Sequence, residues 1–245
     1  MKLTGQSILI SGGSSGLGLE MAKQFIARGN KVIVCGRSLE RLQAAKNSLP
    51  SLIYFVCDIS QPEDCRKLRD WIAAYHPDLT VLINNAAIVH KAIFQETEEI
   101  LEMADKEFAT NFFGPIHLTK LFLPIIEQQS KPAIINITTG LVYTPRVDYP
   151  FYNSTKAALH SFTQVLRQQL SKSAVQVFEV LFPVVDTPWH KGEPPKIAIS
   201  PQAAIAEMIK GLEKGKLEVK VAKVKLLYFL SRLAPRFAFR KINSL

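Results

Sequence analysis

A tyrosine and a lysine four residues apart, Tyr152 and Lys156, are the pair in this sequence best suited to acid–base chemistry. In a helix, side chains at this spacing lie on the same face, one turn apart. An unperturbed phenol has a pKa near ~10, which is too high for easy proton exchange around neutral pH. A neighbouring ammonium group stabilises the phenolate and lowers that pKa. The pair therefore predicts a general acid or base tuned by a lysine.

Two more polar residues stand at informative places. Thr139 ends a buried apolar run thirteen residues before Tyr152, and the carboxyl ends of parallel strands are where such folds bind ligands. Asn111 interrupts a long apolar helical pattern and is soon followed by Gly114 and Pro115. This combination predicts a kinked helix that carries a polar group at the kink.

A glycine-rich turn lies between the first apolar run, residues 7–10, and the first helical pattern, residues 16–28. Glycines let the backbone approach a phosphate, and a helix N-terminus offers unpaired N–H groups and the positive end of its dipole. A strand, such a turn and a helix at the beginning of a βαβ unit are typical of a dinucleotide site. The residues of the turn expected to bind the cofactor are Gly12, Ser14, Ser15, Gly16, Leu17 and Gly18.

The ends of the next three predicted strands supply further cofactor contacts. No carboxylate stands at the tip of the second strand, where Arg37 offers a guanidinium to a 2′-phosphate, so NADP(H) is favoured over NAD(H). Asp58 either accepts a bond from the adenine amine or caps the following turn. Asn84 either bonds a ribose and pins the strands together or forms a turn. The neighbouring Ile59 and Ala86 complete this part of the predicted site.

Short apolar runs alternate with helical patterns along the first two thirds of the chain, which predicts an α/β fold with a parallel sheet covered by helices on both faces. The expected strands are 7–10, 31–34, 53–56, 81–83, 133–137 and 177–182, and the expected helices are 16–28, 38–48, 62–75, 98–127 and 152–172. No linker or repeat interrupts the pattern, so one domain over residues 1–245 is predicted.

Composition excludes several classes of protein. With 47% hydrophobic and 21% charged residues, the 245-residue chain is ordinary globular material. Its three cysteines and five scattered histidines show no metal-ligand spacing, so no metal is expected. Neither a signal-peptide core nor a membrane-spanning apolar run is found, which predicts a cytoplasmic protein.

The formal net charge of +9 is concentrated near the C-terminus, where nine basic residues and one acid follow residue 213. From about residue 222 to 245, apolar and basic residues alternate as in a basic amphipathic helix. Such a tail either contacts an anionic membrane surface or packs on the protein or a partner subunit. Because no nucleic-acid-reading motif accompanies the charge, no nucleic-acid partner is predicted.

Taken together, these motifs resemble the short-chain dehydrogenase/reductase family over about residues 5–200. The resemblance rests on their order and spacing: the glycine-rich turn, residues 84–86, Asn111, Thr139, the Tyr152 and Lys156 pair, and a following Pro183. The stretch 140–161 is most similar to the bacterial branch labelled DltE-like. The resemblance implies a single-domain Rossmann-type doubly wound sheet, a nicotinamide cofactor, and hydride transfer to or from a carbonyl or secondary alcohol of unknown identity.

The family's roles can be carried over position by position. Tyr152 would exchange the substrate proton, and Lys156 would lower the pKa of Tyr152 and hold the nicotinamide ribose. Thr139 would bond the substrate oxygen, and Asn111 would anchor a water that relays protons. Residues flanking the nicotinamide and phosphates would be Pro183, Val185 and Thr187. By analogy with the family, a homo-oligomer formed through the helices that hold Asn111 and Tyr152 is also expected.

The chain departs from the family pattern at several positions. Thr139 replaces the usual serine, Ala87 replaces a glycine, and Val184 replaces the glycine after Pro183. With the basic tail, these departures leave a second function open, that of a nucleotide-binding, membrane-associated scaffold or sensor with little catalysis. The substrate loop is poorly defined by the sequence; residues expected to line it are Trp189, His190, Tyr143, Arg146 and Phe151.

Overall fold

The computed structural model describes residues 2–190 and 195–244. At its centre is a seven-stranded, entirely parallel sheet with the strand order β3-β2-β1-β4-β5-β6-β7. The strands are β1 (Ser7–Ser11), β2 (Lys31–Gly36), β3 (Ile53–Val56), β4 (Val81–Asn84), β5 (Ala133–Thr139), β6 (Gln176–Phe182) and β7 (Glu218–Lys220). The order reverses direction between β1 and β4, which opens a crevice at the carboxyl ends of these two strands.

Helices cover both faces of the sheet. They are α1 (Gly16–Ala27), α2 (Leu39–Ser48), α3 (Pro62–Tyr75), α4 (Ile100–Phe108), α5 (Gly114–Ile126), α6 (Pro150–Gln169), α7 (Pro201–Glu213), α8 (Val224–Leu233) and α9 (Pro235–Asn243). One apolar core joins the sheet to α1, α2 and α7, and the other joins it to α3, α5 and the end of α6. The predicted Rossmann-type α/β fold is confirmed.

The strands are apolar on both sides because both sides are covered. All five residues of β1 and all seven of β5 are buried, and the parallel pairing of β1 with β2 and β4 places it at the centre of the sheet. Burial on two faces explains why these strands read in the sequence as continuous apolar runs rather than as alternating ones.

The helix predicted over residues 98–127 is divided in the structure. Between α4 and α5, residues Ala109–Phe113 form a π-helical turn with Asn111 at its centre. A π turn inserts one extra residue and so rotates the following helix relative to the preceding one. The predicted kink is therefore present, and its cause is this π turn ahead of Gly114 and Pro115.

The C-terminal tail forms two helices after the short edge strand β7. One face of α8 packs on the domain, because Val224 and Leu227 lie against Gly140, while Leu226, Phe229 and Leu233 are exposed. In α9, Asn243 accepts a hydrogen bond from the Val147 amide and donates one to the Pro145 carbonyl. Over the residues described, no helix is long and apolar enough to cross a membrane.

Candidate active site and cofactor cleft

The turn after β1 has no room for side chains at its inner glycines. A Cβ atom on Gly13 would lie 2.3 Å from a methyl carbon of Val34, and one on Gly18 would lie 2.1 Å from the carbonyl oxygen of Gly12. Gly12 and Gly16 also adopt positive φ angles of 68° and 53°, which glycine accepts without strain. The turn is thus a tight backbone cradle at the head of α1.

The N-terminus of α1 faces this cradle with its amides unpaired. Ser15 is the N-cap residue, yet its side chain makes no capping hydrogen bond, and the first N–H groups of a helix have no acceptor within it. Such a terminus favours a phosphate through its N–H groups and its dipole. Leu17 lies in the first turn of the helix, and Ser14 lies close to Gly36 at the end of β2.

Ser11 and Asn85 hold the cradle in place. The Ser11 hydroxyl accepts hydrogen bonds from the amides of Asn85 and Ala86, and the Asn85 side chain donates to the carbonyl oxygens of Ser11 and Gly12. Ala86 packs directly against Gly12. In the sequence Asn85 was noted only as part of the stretch 84–86, so its positioning role is a result of the structure.

The ends of β2 and β3 carry the residues expected to meet the adenosine half of a dinucleotide. Arg37 is exposed beyond β2 and makes no ion pair with any described residue. Asp58 Oδ1 accepts hydrogen bonds from the amide and hydroxyl of Ser60, so Asp58 does cap the following turn, while its bond to an adenine amine stays a prediction. The Ile59 side chain is buried against Gly114 at the head of α5, which leaves only its main chain for a ligand.

Asn84 begins a buried row of hydrogen bonds that crosses from the sheet to the helices. Its amide nitrogen donates to Asn136 Oδ1 at 2.8 Å and to Thr119 Oγ1 at 3.2 Å. Asn136 in turn donates to Thr163 on α6. Asn84 Oδ1 has no partner among the described residues. Asn84 therefore joins β4, β5 and α5, as the strand-pinning interpretation predicted.

Asn111 is fully buried in the π turn and clamps the chain that leaves β4. Its side-chain oxygen accepts from the Ile88 amide at 2.8 Å, and its nitrogen donates to the Ile88 carbonyl at 2.7 Å. The same nitrogen lies 3.3 Å from the Thr155 hydroxyl on α6. The amide thus positions the segment after β4, while the water-anchoring role remains a prediction.

Thr139 and Tyr152 meet at the carboxyl edge of the sheet. Burial raises the pKa of Tyr152 above its ordinary value, and the charge of Glu107 and the neighbouring Tyr149 act in the same direction, whereas the nearby Thr139 side chain favours the ionised phenol. The Thr139 hydroxyl also accepts from the Leu141 amide at 3.3 Å, which fixes the first turn after β5.

Lys156 lies buried beneath this pair. Its ammonium donates to the Ile137 carbonyl at 2.9 Å and sits 5.9 Å from the centre of the Tyr152 ring. Burial lowers the pKa of Lys156 to about 8, and the opposing charge of Glu179 limits the shift. The two side chains therefore share one face of α6, as predicted, but the lowering of the Tyr152 pKa by Lys156 stays a prediction.

The segment after β6 closes the other side of the cleft. Pro183 follows the strand directly, and Val185 is buried and pairs with Ile199 in a parallel bridge. Thr187 then passes over the head of α1, with its Cβ 3.6 Å from the position that a Cβ on Gly16 would occupy. Of the predicted contacts from this segment, Thr187 thus lies beside the glycine cradle.

Trp189 covers the tyrosines. Its ring stacks on Tyr152 at 6.5 Å between ring centres and lies 5.9 Å from Tyr149. Arg146 lies over the Tyr149 ring, but Tyr143 faces away, with its ring against those of His160 and Tyr228. Of the residues expected to line the substrate pocket, Trp189 thus lies beside Tyr152, whereas Tyr143 does not.

The side chain of His190, which was also expected to line the pocket, lies outside the described part of the structure. In the described ranges, 2–190 and 195–244, no group of three or more His, Cys, Asp or Glu side chains is placed to hold a metal ion.

The arrangement suits a dinucleotide. The cradle, the uncapped N-terminus of α1 and the Thr187 segment would hold a pyrophosphate, with Arg37 near the adenosine end. A nicotinamide ring bound in the cleft supplies or accepts a hydride. The protein's own groups there, the hydroxyls of Thr139 and Tyr152 above the Lys156 ammonium, can bond an oxygen and exchange its proton.

Comparison with known proteins agrees with this architecture. A family model described as short chain dehydrogenase matches residues 6–197. The chain is 38% identical over 249 residues to the uncharacterized oxidoreductase DltE of Bacillus subtilis, covering 100% of this chain and 99% of that protein. It is 30% identical over 180 residues to the NADP-dependent 3-hydroxy acid dehydrogenase YdfG of Salmonella typhi, covering 71% of this chain and 70% of that protein.

Solved structures share the fold. A short chain dehydrogenase from Burkholderia cenocepacia, crystallised in complex with NADP, has a TM-score of 0.87 at 24% identity and covers 99% of both chains. A short chain dehydrogenase/reductase from Burkholderia phymatum, in complex with NAD, has a TM-score of 0.86 at 17% identity, covering 99% of this chain and 97% of the other.

The burial of Lys156 predicts a pH-dependent stability. Because the folded pKa is about 8 and the ordinary value is 10.5, the charged lysine destabilises the fold fully below pH 8 and not at all above pH 10.5. Relative to Lys156→Met, the free energy of unfolding of the natural protein should therefore rise across this window, by on the order of 3 kcal/mol. Urea denaturation at pH 7.5, 9 and 10 measures it.

The same substitution at Lys120, which is exposed on α5, is the matched control. If the difference between Lys156→Met and the natural protein changed with pH no more than the difference for Lys120→Met, the assignment of a strongly desolvated lysine would be wrong.

Proposed function

The chain belongs to the short-chain dehydrogenase/reductase family of oxidoreductases, and on this premise we propose that it transfers a hydride between NADP(H) and a carbonyl or secondary alcohol, with Tyr152 as the acid or base. The observation that carries the proposal is the clustering of three side chains at the carboxyl edge of the sheet: Thr139 is close enough to act on the Tyr152 phenol, and the ammonium of buried Lys156 lies 5.9 Å from the centre of the Tyr152 ring. These three groups lie at the crevice edge beside the glycine cradle.

Each group has a separate task in this proposal. Thr139 orients the substrate oxygen, and its β-branched side chain has few rotamers, so the hydroxyl is held in one direction. Because burial raises the pKa of Tyr152, the phenol keeps its proton and can donate it to an oxygen that gains negative charge during reduction. Lys156 places a positive charge near the phenol, and its hydrogen bond to the Ile137 carbonyl holds the ammonium in that position.

The preference for NADP(H) rests on Arg37. A guanidinium with no ion-pair partner among the described residues stands at the tip of β2, and no carboxylate of that strand competes for a ribose hydroxyl. Arginine binds phosphates through paired, charge-assisted hydrogen bonds. The relative YdfG is named as NADP-dependent, which agrees with this preference.

Replacement of Arg37 by alanine tests the cofactor. We expect Arg37→Ala to weaken NADPH binding by roughly 10-fold or more, because charge-assisted hydrogen bonds contribute about 1.5–3 kcal/mol each, and to leave NADH binding nearly unchanged. Fluorescence titration with both nucleotides measures the two affinities. Arg66→Ala, on the exposed side of α3, is the control. Equal loss for both nucleotides, or none for NADPH, would reject the preference.

Replacement of Tyr152 by phenylalanine tests the chemistry. Removing only the hydroxyl should lower kcat by about 10²–10⁴-fold, the usual contribution of a general acid or base, while the NADPH affinity stays within about 2-fold. Steady-state reduction of a panel of aldehydes and ketones, with Tyr75→Phe on the protein surface as control, gives the comparison. Turnover retained by Tyr152→Phe would remove Tyr152 from the mechanism.

The alternative of a nucleotide-binding scaffold gains no support from the structure. The departures at Ala87 and Val184 leave Thr139, Tyr152 and Lys156 together at the end of β5 and the beginning of α6, and the Ala87 side chain is exposed. The alternative would be supported again if the protein bound NADPH tightly but reduced none of the compounds in a broad panel of aldehydes and ketones.

Self-association and location are parts of the same proposal. Exposed apolar side chains on α4, the π turn and α6 suit the homo-oligomer expected by analogy; they are Leu101, Phe113 and Val165. Sedimentation velocity measures the oligomeric state, and a monomer would contradict this part of the proposal.

A cytoplasmic location is likewise proposed; recovery of the natural protein in a secreted fraction would contradict it.

The tail suits peripheral contact with an anionic membrane. Leu226, Phe229, Leu233 and Phe237 are exposed on α8 and the beginning of α9, and no acidic residue follows Glu218. An exposed apolar stripe flanked by basic side chains is the pattern of an interfacial helix, and each basic residue adds about 1 kcal/mol on an anionic surface.

Vesicle co-sedimentation tests the membrane contact. The protein should bind vesicles that contain phosphatidylglycerol and not vesicles of phosphatidylcholine alone. The double substitution Leu226→Ser with Phe229→Ser should weaken binding by roughly 10-fold or more, because partial burial of these two side chains supplies a few kcal/mol. Phe94→Ser, an equally exposed site away from the tail, is the control. Equal binding by all three proteins would exclude the stripe as the contact.

A further inference from the structure

A cavity of about 660 Å³ opens between the segment 143–145, which follows β5, and the helices α8 and α9. Its described lining includes no residue of the glycine cradle and none of Thr139, Tyr152 and Lys156, so the proposed chemistry does not use it. Cavities of this size commonly hold small molecules in proteins. The side chains of its lining therefore indicate which ligand it would take.

The charge of the cavity lining is positive. Arg236 and Arg240 both line it, and because they are four residues apart on α9 they lie on one face of that helix. Neither guanidinium makes an ion pair or a hydrogen bond with a described residue, and no Asp or Glu is found among the described residues of the lining. Like charges at this spacing repel each other, so an anion bound to both arginines would relieve that repulsion.

The acidic side chains close to this region already have basic partners. Asp148 is paired with Arg146 at 3.4 Å. Glu218, whose charge acts on Tyr143 in the cavity wall, is paired with Lys220 at 2.8 Å. Neither acid lines the cavity. The charge of the two cavity arginines is therefore not balanced within the described part of the protein.

A buried hydroxyl is a further hydrogen-bond donor in the lining. Thr144 lines the same cavity and is only 3% exposed, and its hydroxyl makes no hydrogen bond with any described residue. Because buried polar groups normally have a partner, this hydroxyl suits a ligand in the cavity. The hydroxyl of Ser231 in the α8 wall differs, since it donates to the Tyr228 carbonyl at 2.9 Å.

The walls of the cavity are fixed to the domain. Asn243 at the end of α9 accepts a hydrogen bond from the Val147 amide at 2.8 Å and donates one to the Pro145 carbonyl at 3.2 Å. The other wall, α8, packs against Gly140 directly after β5. A ligand would thus enter a cavity that is already formed, which lowers the free-energy cost of binding.

Apolar side chains beside the arginines favour a lipid over a free phosphate ion. Phe239, which precedes Arg240, lines the cavity and is 42% exposed, and Phe237, which follows Arg236, is 51% exposed. A phosphate ion alone would leave both rings in water, whereas the acyl chains of a lipid would cover them. The same two helices carry the exposed apolar stripe described above.

We propose that this cavity binds the phosphodiester head group of an anionic phospholipid, with Arg236 and Arg240 donating to the phosphate oxygens and the Thr144 hydroxyl as a third donor. Arginine binds phosphates through paired, charge-assisted hydrogen bonds. This inference rests on the membrane contact in the proposed function and names the lipid group that the tail recognises. The stripe supplies apolar contact with the membrane, and the cavity takes the head group of one lipid.

The experiment is a calorimetric titration of the full chain with dihexanoyl-phosphatidylglycerol, a short-chain lipid used below its micelle concentration. Glycerophosphoglycerol, the same head group without acyl chains, is the soluble comparison. The natural protein should bind the lipid at least ~10-fold more tightly than the soluble head group, because the acyl chains bury apolar surface. The double substitution Arg236→Gln with Arg240→Gln should weaken lipid binding by at least ~10-fold, because charged hydrogen bonds contribute about 1.5–3 kcal/mol each.

The double substitution Lys225→Gln with Lys241→Gln is the matched control. It removes the same charge from exposed positions of α8 and α9 that do not line the cavity, so lipid binding should stay within about 2-fold. Equal loss in the two double variants, or no loss in the arginine variant, would overturn the cavity as the site. Equal affinity of the natural protein for the lipid and for glycerophosphoglycerol would overturn the lipid as its ligand.

Two other measurements separate this inference from the proposed function. A titration with NADPH before each experiment tests the cofactor site, and unchanged NADPH affinity in the arginine variant shows that the variant is folded. Loss of NADPH binding in the natural protein would reject the proposed cofactor and leave the lipid result valid. Because the short-chain lipid forms no bilayer, vesicle co-sedimentation tests the membrane contact independently of the cavity.

Discussion

Hydrogen bonds among buried polar side chains at the carboxyl ends of β1, β4 and β5 are the constraint on which the rest of the site depends. In the middle of a doubly covered sheet most of these groups have little access to solvent, so they are stabilised by partners in the protein. Ser11 and Asn85 satisfy one another around the glycine turn, and Asn84, Asn136 and Thr163 form a continuous row from β4 to α6. Satisfying the hydrogen bonds at these strand ends thus fixes both the glycine cradle and α6.

The position of Tyr152 follows from that row rather than from its own contacts. Thr163 lies on α6 three turns after Tyr152 and is held by Asn136, while Asn153 at the beginning of the helix bonds the Arg146 carbonyl. With both parts of the helix tied to the sheet edge, the side chains of Tyr152 and Lys156 have little freedom. Rigid support of this kind is what lets a site hold a reacting group at a constant distance.

Much of this could be predicted from the sequence, because the signals are local. Continuous apolar runs predicted the buried strands, and the spacing of Tyr152 and Lys156 predicted their common helix face. The contacts that join distant parts of the chain could not be predicted in this way. Nothing in the sequence around Glu107 shows that it binds His90, seventeen residues earlier. Tyr143 was wrongly expected at the pocket, because its actual contact with Tyr228 in the tail depends on how α8 docks.

The two buried glutamates on either side of α6 show how the fold sets the proton affinities of the site. Glu179 supports the charged form of Lys156 against desolvation, whereas Glu107 opposes ionisation of Tyr152. Both negative charges therefore retain protons on α6, one on the Lys156 ammonium and one on the Tyr152 phenol. A protein with this arrangement rests in the proton-donating state. Release of that proton would be favoured by a positive charge beside the phenol, and the Lys156 ammonium, 5.9 Å from the centre of the Tyr152 ring, is placed to supply it.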